Sequence, residues 1–296
     1  MYPTFPTGPP VLHYVPFGGN IEWPRTRTLR PRIRHHVHME IQRGSGRNAG
    51  SVMRDGDRLL RPTSTTSDIV RSLLNLLRKV GFSGAPIHQG QEAGLEILTW
   101  VEGMTFATDV PGWLREPPTL AEVARLLRLF HNAVESWSDL KWKPLCSPPS
   151  LLDGTIACHG DLGFGNVVFR ERVPIALIDF EFIVRADPLY DVATLASVWP
   201  VLPQTPPDDA AGRTEFEQCL LAVADGYGLD SKQRQRLPRA MAAVEQNAIN
   251  FMSHLLHEGD AVAVAGDFAT VLPQRAARLG WLRAAAPHLD GTLSRS

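Results

Sequence analysis

Residues 158–184 constrain the fold of this chain most, because they combine a polar, glycine-containing loop with two apolar runs. The runs cover residues 167–169 and 173–178, and three polar residues separate them. Short runs of β-branched, aliphatic and aromatic residues joined by a polar segment are typical of a β-hairpin. The stretch therefore predicts two antiparallel strands that follow a loop.

The predicted hairpin brings oxygen-bearing side chains together at its open end. With the turn centred between Arg172 and Val173, Asn166 and Asp179 form a cross-strand pair whose Cβ atoms lie about 4.5–5.5 Å apart. Asp161 lies five residues before Asn166 on the preceding loop. An amide oxygen and a carboxylate at this spacing could share a cation such as magnesium, whose ligands lie at about 2.0–2.1 Å.

These side chains meet the requirements of phosphoryl transfer. A metal ion neutralises the phosphates, two residues hold the metal, and one carboxylate orients the attacking hydroxyl. A single aspartate in a loop is more often a turn residue or a helix cap than a ligand. The joint spacing of Asp161, Asn166 and Asp179 favours one common site over three separate structural roles.

Three short segments carry a family resemblance. They are His159-Gly160-Asp161 with Asn166, then Ile178-Asp179-Phe180-Glu181, then residues 185–193. In this order and spacing they resemble the signature of the aminoglycoside phosphotransferase and choline kinase group. The resemblance begins near Gly44. It implies an α+β, two-lobed protein-kinase-like fold, with a small β-rich N-terminal lobe and a larger, mainly helical C-terminal lobe.

The resemblance also implies roles for the residues of the loop and the hairpin. Asp161 is expected to be the catalytic base, and Asn166 and Asp179 are expected to hold Mg²⁺. His159 is expected to support the loop rather than take part in the chemistry. Asp191 is expected to brace the same loop and to open the helix that follows.

Four residues are expected to contact the nucleotide, ATP or GTP, if the small lobe resembles that of the family. The loop 44–51 would cover the phosphates, with Ser51 at its end, and Arg61 would supply the cation of the neighbouring strand. The strand that begins at residue 95 would lead into the hinge between the lobes. There we place backbone contacts to the purine at Thr99 and Val101.

Arg61 departs from the family pattern, in which the strand cation is usually a lysine paired with a glutamate of the next helix. The helix predicted from residue 67 or 68 to residue 80 contains no glutamate, and Asp68 at its start is a poor substitute. Arginine binds phosphate bidentately but is not equivalent to a lysine point charge. Either Arg61 binds phosphate unaided, or other groups of this lobe hold the nucleotide.

The chain divides into three segments by composition and predicted secondary structure. Residues 1–43 contain seven prolines and are rich in arginine, so we expect a disordered extension. Residues 44–103 are expected to form the nucleotide-binding lobe and hinge. Residues 104–296 are expected to form the catalytic and acceptor-binding lobe.

The larger lobe is expected to be mainly helical. Its predicted helices cover residues 120–135, 192–198, 214–225, 231–257 and 260–286, the last in one or two pieces. Thr119 and Glu122 form a capping-box pattern before the first of them. His131 lies within that helix and is expected to be a core histidine rather than a ligand.

Composition excludes several functional classes. A net charge of −1 argues against a dedicated nucleic-acid binder. Three cysteines without metal-like spacing favour a reducing compartment over a disulfide framework. No apolar run reaches the roughly 18 residues that a membrane span needs, and the N-terminus does not resemble a secretory signal. We therefore expect a cytoplasmic protein, and its oligomeric state is left open.

The sequence leads to one functional hypothesis and one alternative from another class. The first is a small-molecule kinase that transfers the terminal phosphate of ATP or GTP to a hydroxyl of a small acceptor, including a cationic, aminoglycoside-like one. The alternative is a catalytically inactive nucleotide-binding pseudoenzyme of the same fold. The unusual Arg61 favours the alternative, and the intact set Asp161, Asn166 and Asp179 favours the kinase. A metal-dependent hydrolase is disfavoured because no nucleophile accompanies the N-terminal histidines.

Overall fold

A computed structural model describes most of the chain. The described residues are 40–42, 52–107, 109–137, 143–200, 210–260, 263 and 266–294, with the backbone alone for 40–42 and 210. They belong to one compact unit, His38–Ser296. Ser51 and nearly all of the expected extension 1–43 lie outside the described residues.

The small lobe contains an antiparallel five-stranded sheet. Its strands are β1 (Glu40–Gln42), β2 (Val52–Asp55), β3 (Arg58–Pro62), β4 (His88–Glu92) and β5 (Leu95–Thr99). They are arranged in the order β1-β2-β3-β5-β4, so β3 and β5 are neighbours although α1 (Ser67–Lys79) and β4 separate them in sequence. The apolar pattern of helix α1 predicts a buried stripe of Ile69, Val70, Leu73, Leu74, Leu77 and Val80. The first five are buried, whereas Val80 at the end of the helix is exposed.

The larger lobe is built mainly from helices. They are α2 (Pro117–Val134), α3 (Leu189–Val198), α4 (Ala210–Tyr227), α5 (Ser231–His257) and α6 (Phe268–Ser294). Two short antiparallel ladders accompany them, β6 (Ile156–Cys158) with β9 (Val184–Ala186) and β7 (Val167–Arg170) with β8 (Val173–Leu177). Among the described residues, no helix is both long and apolar enough to cross a membrane.

Two predictions at helix starts are wrong. Helix α2 begins at Pro117, and its N-cap is Glu116 without a capping side-chain bond, so the Thr119–Glu122 capping box does not exist. Glu122 instead pairs with Arg125 on the helix surface. A proline fits the first turn because its missing N–H has no intrahelical partner there. Helix α3 begins at Leu189, whose N–H donates to the Asp187 carboxylate at 2.9 Å, so Asp191 lies within the first turn and does not open the helix.

The hairpin β7–β8 exists, but its predicted register is wrong. The turn lies one residue earlier in the chain than predicted, and a β-bulge between Val168 and Phe169 shifts the pairing towards the open end. Arg170 pairs with Val173, so the turn consists of Glu171 and Arg172, both with positive φ (51° and 67°). Positive φ at both positions is the geometry of a type I′ turn, whose twist matches that of the strands. The Ile178 N–H donates to the Asn166 carbonyl at 3.0 Å. Ile178 therefore lies opposite Asn166, and Asp179 follows one residue further on.

A continuous apolar core supports the hairpin and the loop before it. Its largest fully buried aromatic side chains include Phe130 of α2, Phe169 of β7 and Trp199 after α3. The Trp199 Nε1–H donates to the carbonyl of Leu162 at 3.0 Å. The core thus holds the loop that carries Asp161 by a direct hydrogen bond as well as by packing.

Candidate active site

The loop that leaves β6 turns sharply at Gly160. This residue has a φ of +83°, and a Cβ atom built on it would lie 2.0 Å from the carbonyl oxygen of Phe182. Both the positive φ and the close backbone approach require glycine. The turn leaves the next side chain, Asp161, exposed to solvent.

Asn166 contacts Asp161 directly. Its Nδ2 donates to the Asp161 carbonyl at 2.8 Å and to the Asp161 carboxylate at 3.0 Å. These two bonds use the amide nitrogen and leave the amide oxygen as an acceptor. Two of the three predicted site residues are thus in contact, and their geometry orients both side chains.

Asp179 adopts a left-handed backbone conformation, with φ 63° and ψ 62°. Such a conformation is uncommon for residues other than glycine and often marks a functional site. Burial raises the pKa of Asp179 from 3.8 to about 6, the negative charges of Glu181 and Asp161 add to this increase, and Arg61 and His159 oppose it. The dependence on Asp161 places both carboxylates in one electrostatic environment.

The donor set of this region fits a divalent cation. The carboxylates of Asp161, Asp179 and Glu181 and the amide oxygen of Asn166 are hard oxygen donors of the kind that Mg²⁺ and Ca²⁺ prefer. Arg61 lies 3.4 Å from Asp179 and 3.6 Å from Glu181. Among the described residues, Arg61 is thus in ion-pair distance of two carboxylates of this donor set.

His159 and Asp191 form hydrogen bonds with the backbone of the loop and of its neighbours. His159 is fully buried, its Nε2–H donates to the Ile178 carbonyl at 2.8 Å, and its Nδ1 accepts the Asp161 N–H at 3.3 Å. The Asp191 carboxylate accepts the backbone N–H groups of His159 (2.6 Å) and Gly160 (3.0 Å). These bonds fix the backbone on both sides of the sharp turn.

The brace continues into the helices through His131, which is a buried core histidine as predicted. Its Nε2–H donates to Asp191 at 3.0 Å, and its Nδ1 lies 2.7 Å from the Tyr227 hydroxyl. Burial alone raises the pKa of Asp191, but the hydrogen bond and charge of His131, with His159 and the Gly160 N–H, bring that pKa below its ordinary value. Asp191 is therefore an anion held by donors.

His131, Cys158 and Asp191 bring three potential metal-ligand atoms within 4.8 Å of one another. The chemistry of the cluster disfavours a metal there. Burial and the nearby carboxylates raise the pKa of the Cys158 thiol well above its ordinary value, so it is not a thiolate. The other two side chains already bond to each other and to Tyr227 and the loop amides.

Sequence reasoning missed the partner of Arg61. Glu96 of β5 lies directly opposite Arg61 in the β3–β5 ladder, and its Oε2 accepts a hydrogen bond from the Arg61 Nε at 2.9 Å. Both side chains are buried. The carboxylate partner of Arg61 is thus on a strand and not on the following helix, and Asp68 pairs with Arg71. The available signal was a charged residue within the otherwise apolar run of β5.

Thr99 and Val101, the two residues predicted to contact the purine in the hinge, lie in different structural environments. The Thr99 N–H donates to the Ile87 carbonyl and the Thr99 hydroxyl accepts the Ile87 N–H, both at 2.9 Å. A purine could therefore not use the Thr99 amide without breaking the sheet edge. Val101 follows the end of β5 and is half-buried. The adjacent Glu102 carboxylate accepts a hydrogen bond from Arg54 at 2.9 Å.

Comparisons with known proteins find similar sequences. The profile of a family described as "Phosphotransferase enzyme family" matches residues 148–228, which include the loop and the hairpin. The trifolitoxin immunity protein of Rhizobium leguminosarum bv. trifolii is 32% identical over 206 residues, covering 64% of this chain and 74% of that protein.

Solved structures share the fold as well. A choline/ethanolamine kinase family protein from Mesorhizobium loti has a TM-score of 0.55 at 17% identity, covering 87% of this chain and 92% of its own. An amicoumacin kinase in complex with AMP-PNP, Ca²⁺ and Ami has a TM-score of 0.53 at 16% identity, covering 79% of this chain and 84% of its own. The predicted two-lobed, protein-kinase-like α+β fold is confirmed.

Proposed function

Because this chain belongs to the aminoglycoside phosphotransferase and choline kinase-like family, we propose that it transfers the terminal phosphate of ATP or GTP to a hydroxyl of a small acceptor. The observation that carries the proposal is the contact of Asn166 with the exposed Asp161 carboxylate, beside Asp179. This arrangement combines a base with oxygen donors for a cation.

Asp161 is the proposed base. Its carboxylate is exposed, so an acceptor hydroxyl can reach it, and Asn166 holds it in one orientation. The carboxylate would orient the hydroxyl and accept its proton as the phosphate is transferred. His159 and Asp191 would act through the backbone by keeping the loop in place.

Asn166 and Asp179 are the proposed ligands of Mg²⁺. When bound, the ion would neutralise the charge of the nucleotide phosphates.

The proposed nucleotide contacts are Arg61 for the phosphates and, in the hinge, the carbonyl of Thr99 and the backbone of Val101. Ser51 is proposed for the phosphates as well, from the sequence alone. In this scheme, residues 44–103 bind the nucleotide and residues 104–296 bind the acceptor, and the need for nucleotide favours the cytoplasm.

The acceptor is proposed by class only. The similar amicoumacin kinase and choline/ethanolamine kinase family protein support a small hydroxylated molecule. The immunity protein adds a more specific candidate, a toxin or antibiotic whose phosphorylation would protect the cell. The pseudoenzyme remains the alternative, and the contact between Asp161 and Asn166 opposes it because neither side chain needs the other for packing.

The proposal is tested by nucleotide consumption with a panel of hydroxylated acceptors, including aminoglycosides, amino alcohols and macrolides. We expect ATP or GTP turnover with at least one acceptor, and mass spectrometry should find that acceptor phosphorylated. Asp161→Ala should lower turnover by roughly 10²–10⁴ while nucleotide affinity stays unchanged. Asp153→Ala, a change at an exposed aspartate before β6, is the control. Nucleotide binding without any phosphorylated acceptor would favour the pseudoenzyme.

A further inference from the structure

The guanidinium of Arg61 stands among three carboxylates although its side chain is only 7% exposed. Its Nε lies 2.9 Å from Glu96, and its Nη1 lies 3.4 Å from Asp179 and 3.6 Å from Glu181. Asp179 and Glu181 belong to the segment after β8, whereas Glu96 belongs to the sheet of the small lobe. Arg61 therefore connects the sheet to the proposed metal site.

Glu96 is an unusual residue for its position. It is 1% exposed, it lies in the apolar strand β5, and its Oε1 has no hydrogen-bond partner among the described residues. A buried carboxylate with an unpaired oxygen is costly, and a buried ion pair is on its own weak evidence for stability. Stability alone therefore gives a poor reason for a glutamate at this position.

The bond from Nε to Glu96 fixes the orientation of the planar guanidinium. With that edge held, Nη1 faces Asp179 and Glu181. The remaining nitrogen, Nη2, makes no hydrogen bond within the part of the chain that the structure describes. Arginine recognises phosphate through such fixed N–H groups rather than as a point charge.

We infer that Glu96 is a positioning residue that holds Arg61 so that Nη2 meets a phosphate oxygen of the nucleotide. This inference rests on the proposed function, since it requires a bound nucleotide. Glu96 itself touches neither nucleotide nor metal in this scheme. Its effect on the nucleotide passes entirely through Arg61.

A double-mutant cycle tests the inference. Affinities for AMP-PNP and GMP-PNP with Mg²⁺ are measured by calorimetry for the wild type, Glu96→Gln, Arg61→Gln and the double variant. We expect Glu96→Gln to weaken binding roughly tenfold in the wild type and to have no further effect in the Arg61→Gln background, because residues that act through one another are not additive.

Thermal unfolding of the same four proteins separates positioning from folding. Arg61→Gln leaves the Glu96 charge buried and unpaired and should lower the Tm, whereas the double variant removes both charges and should recover part of the loss. Glu92→Gln, a change at an exposed glutamate of the adjacent strand β4, should alter neither affinity nor Tm.

The experiments distinguish failure of the positioning role of Glu96 from failure of the proposed function. Equal losses of affinity from Glu96→Gln in both backgrounds, or unchanged affinity in the wild-type background, would overturn the positioning role and leave the proposed function intact. A wild type that binds neither nucleotide would overturn the proposed function and the positioning role together.

Discussion

At the residue scale, the raised pKa of Asp179 makes the stability of the protein depend on pH. Its pKa rises from 3.8 to about 6 on folding, with burial as the first cause and the neighbouring carboxylates as the next. The folded protein therefore binds this proton more tightly than the unfolded chain does. By linkage, ionisation of Asp179 lowers the free energy of unfolding of the metal-free protein as pH rises from about 4 to about 6. Above about pH 6 the contribution of this group stays constant.

The same shift predicts the pH dependence of cation binding. A divalent cation needs the ionised carboxylate, so Mg²⁺ or Mn²⁺ affinity should fall as pH is lowered through about 6. Calorimetric titration with Mn²⁺ between pH 5 and 8 measures this. Asp179→Asn, which cannot ionise, should bind weakly at every pH. An affinity of the wild type that is flat across this range would contradict the role of Asp179.

At the scale of the element, the geometry of the loop between β6 and β7 predicts how a substitution at Gly160 affects turnover. A Cβ atom at Gly160 would lie 2.0 Å from the Phe182 carbonyl, whereas nothing lies within 4 Å of a Cβ at Gly163. Gly160→Ala must therefore move the loop, and a displacement of about 1 Å at a catalytic group can lower turnover roughly 10²-fold. Gly163→Ala is the matched control and should retain turnover, since its φ of −88° suits alanine.

Helices α2 and α4 brace the same loop through Tyr227, His131 and Asp191. Tyr227→Phe removes the hydroxyl that lies 2.7 Å from the His131 Nδ1 and leaves a buried nitrogen without its partner. We expect the free energy of unfolding to fall by about 1–3 kcal/mol. Chemical denaturation of the variant and the wild type measures the difference. Unchanged stability would indicate that the hydroxyl does not hold His131 in place.

At the scale of the whole molecule, the sequence predicted the elements better than their relative placement. The hairpin, the helical lobe and the bounds of α5 follow from local patterns of apolar residues. The hairpin register did not, because Glu171 and Arg172 adopt positive φ without the asparagine or glycine that signals such a turn. A β-bulge between Val168 and Phe169, which no local pattern indicated, shifts the register again. Asp179 nevertheless lies near Asn166, because the preceding residue Ile178 pairs with Asn166, and the charge of Asp161 helps to raise the pKa of Asp179.

The pairing of Arg61 with Glu96 could not be predicted from the sequence, for a different reason. Glu96 is far from Arg61 in sequence and reaches it only through the pairing of β3 with β5. Long-range strand pairing is not encoded in local periodicity, so the sequence pattern gave no sign that Glu96 is the partner of Arg61. A charged residue inside an apolar strand remains a useful signal, because buried charges are rarely found without a partner.

The most direct measurement is a crystal structure with AMP-PNP and Mg²⁺, with a Mn²⁺ soak to identify the cation. We predict a cation about 2 Å from the Asn166 amide oxygen and the Asp179 carboxylate, with Asp161 facing the terminal phosphate. A cation bound away from Asn166 and Asp179, or an Asp161 carboxylate turned away from the phosphate, would contradict the proposed phosphotransferase site.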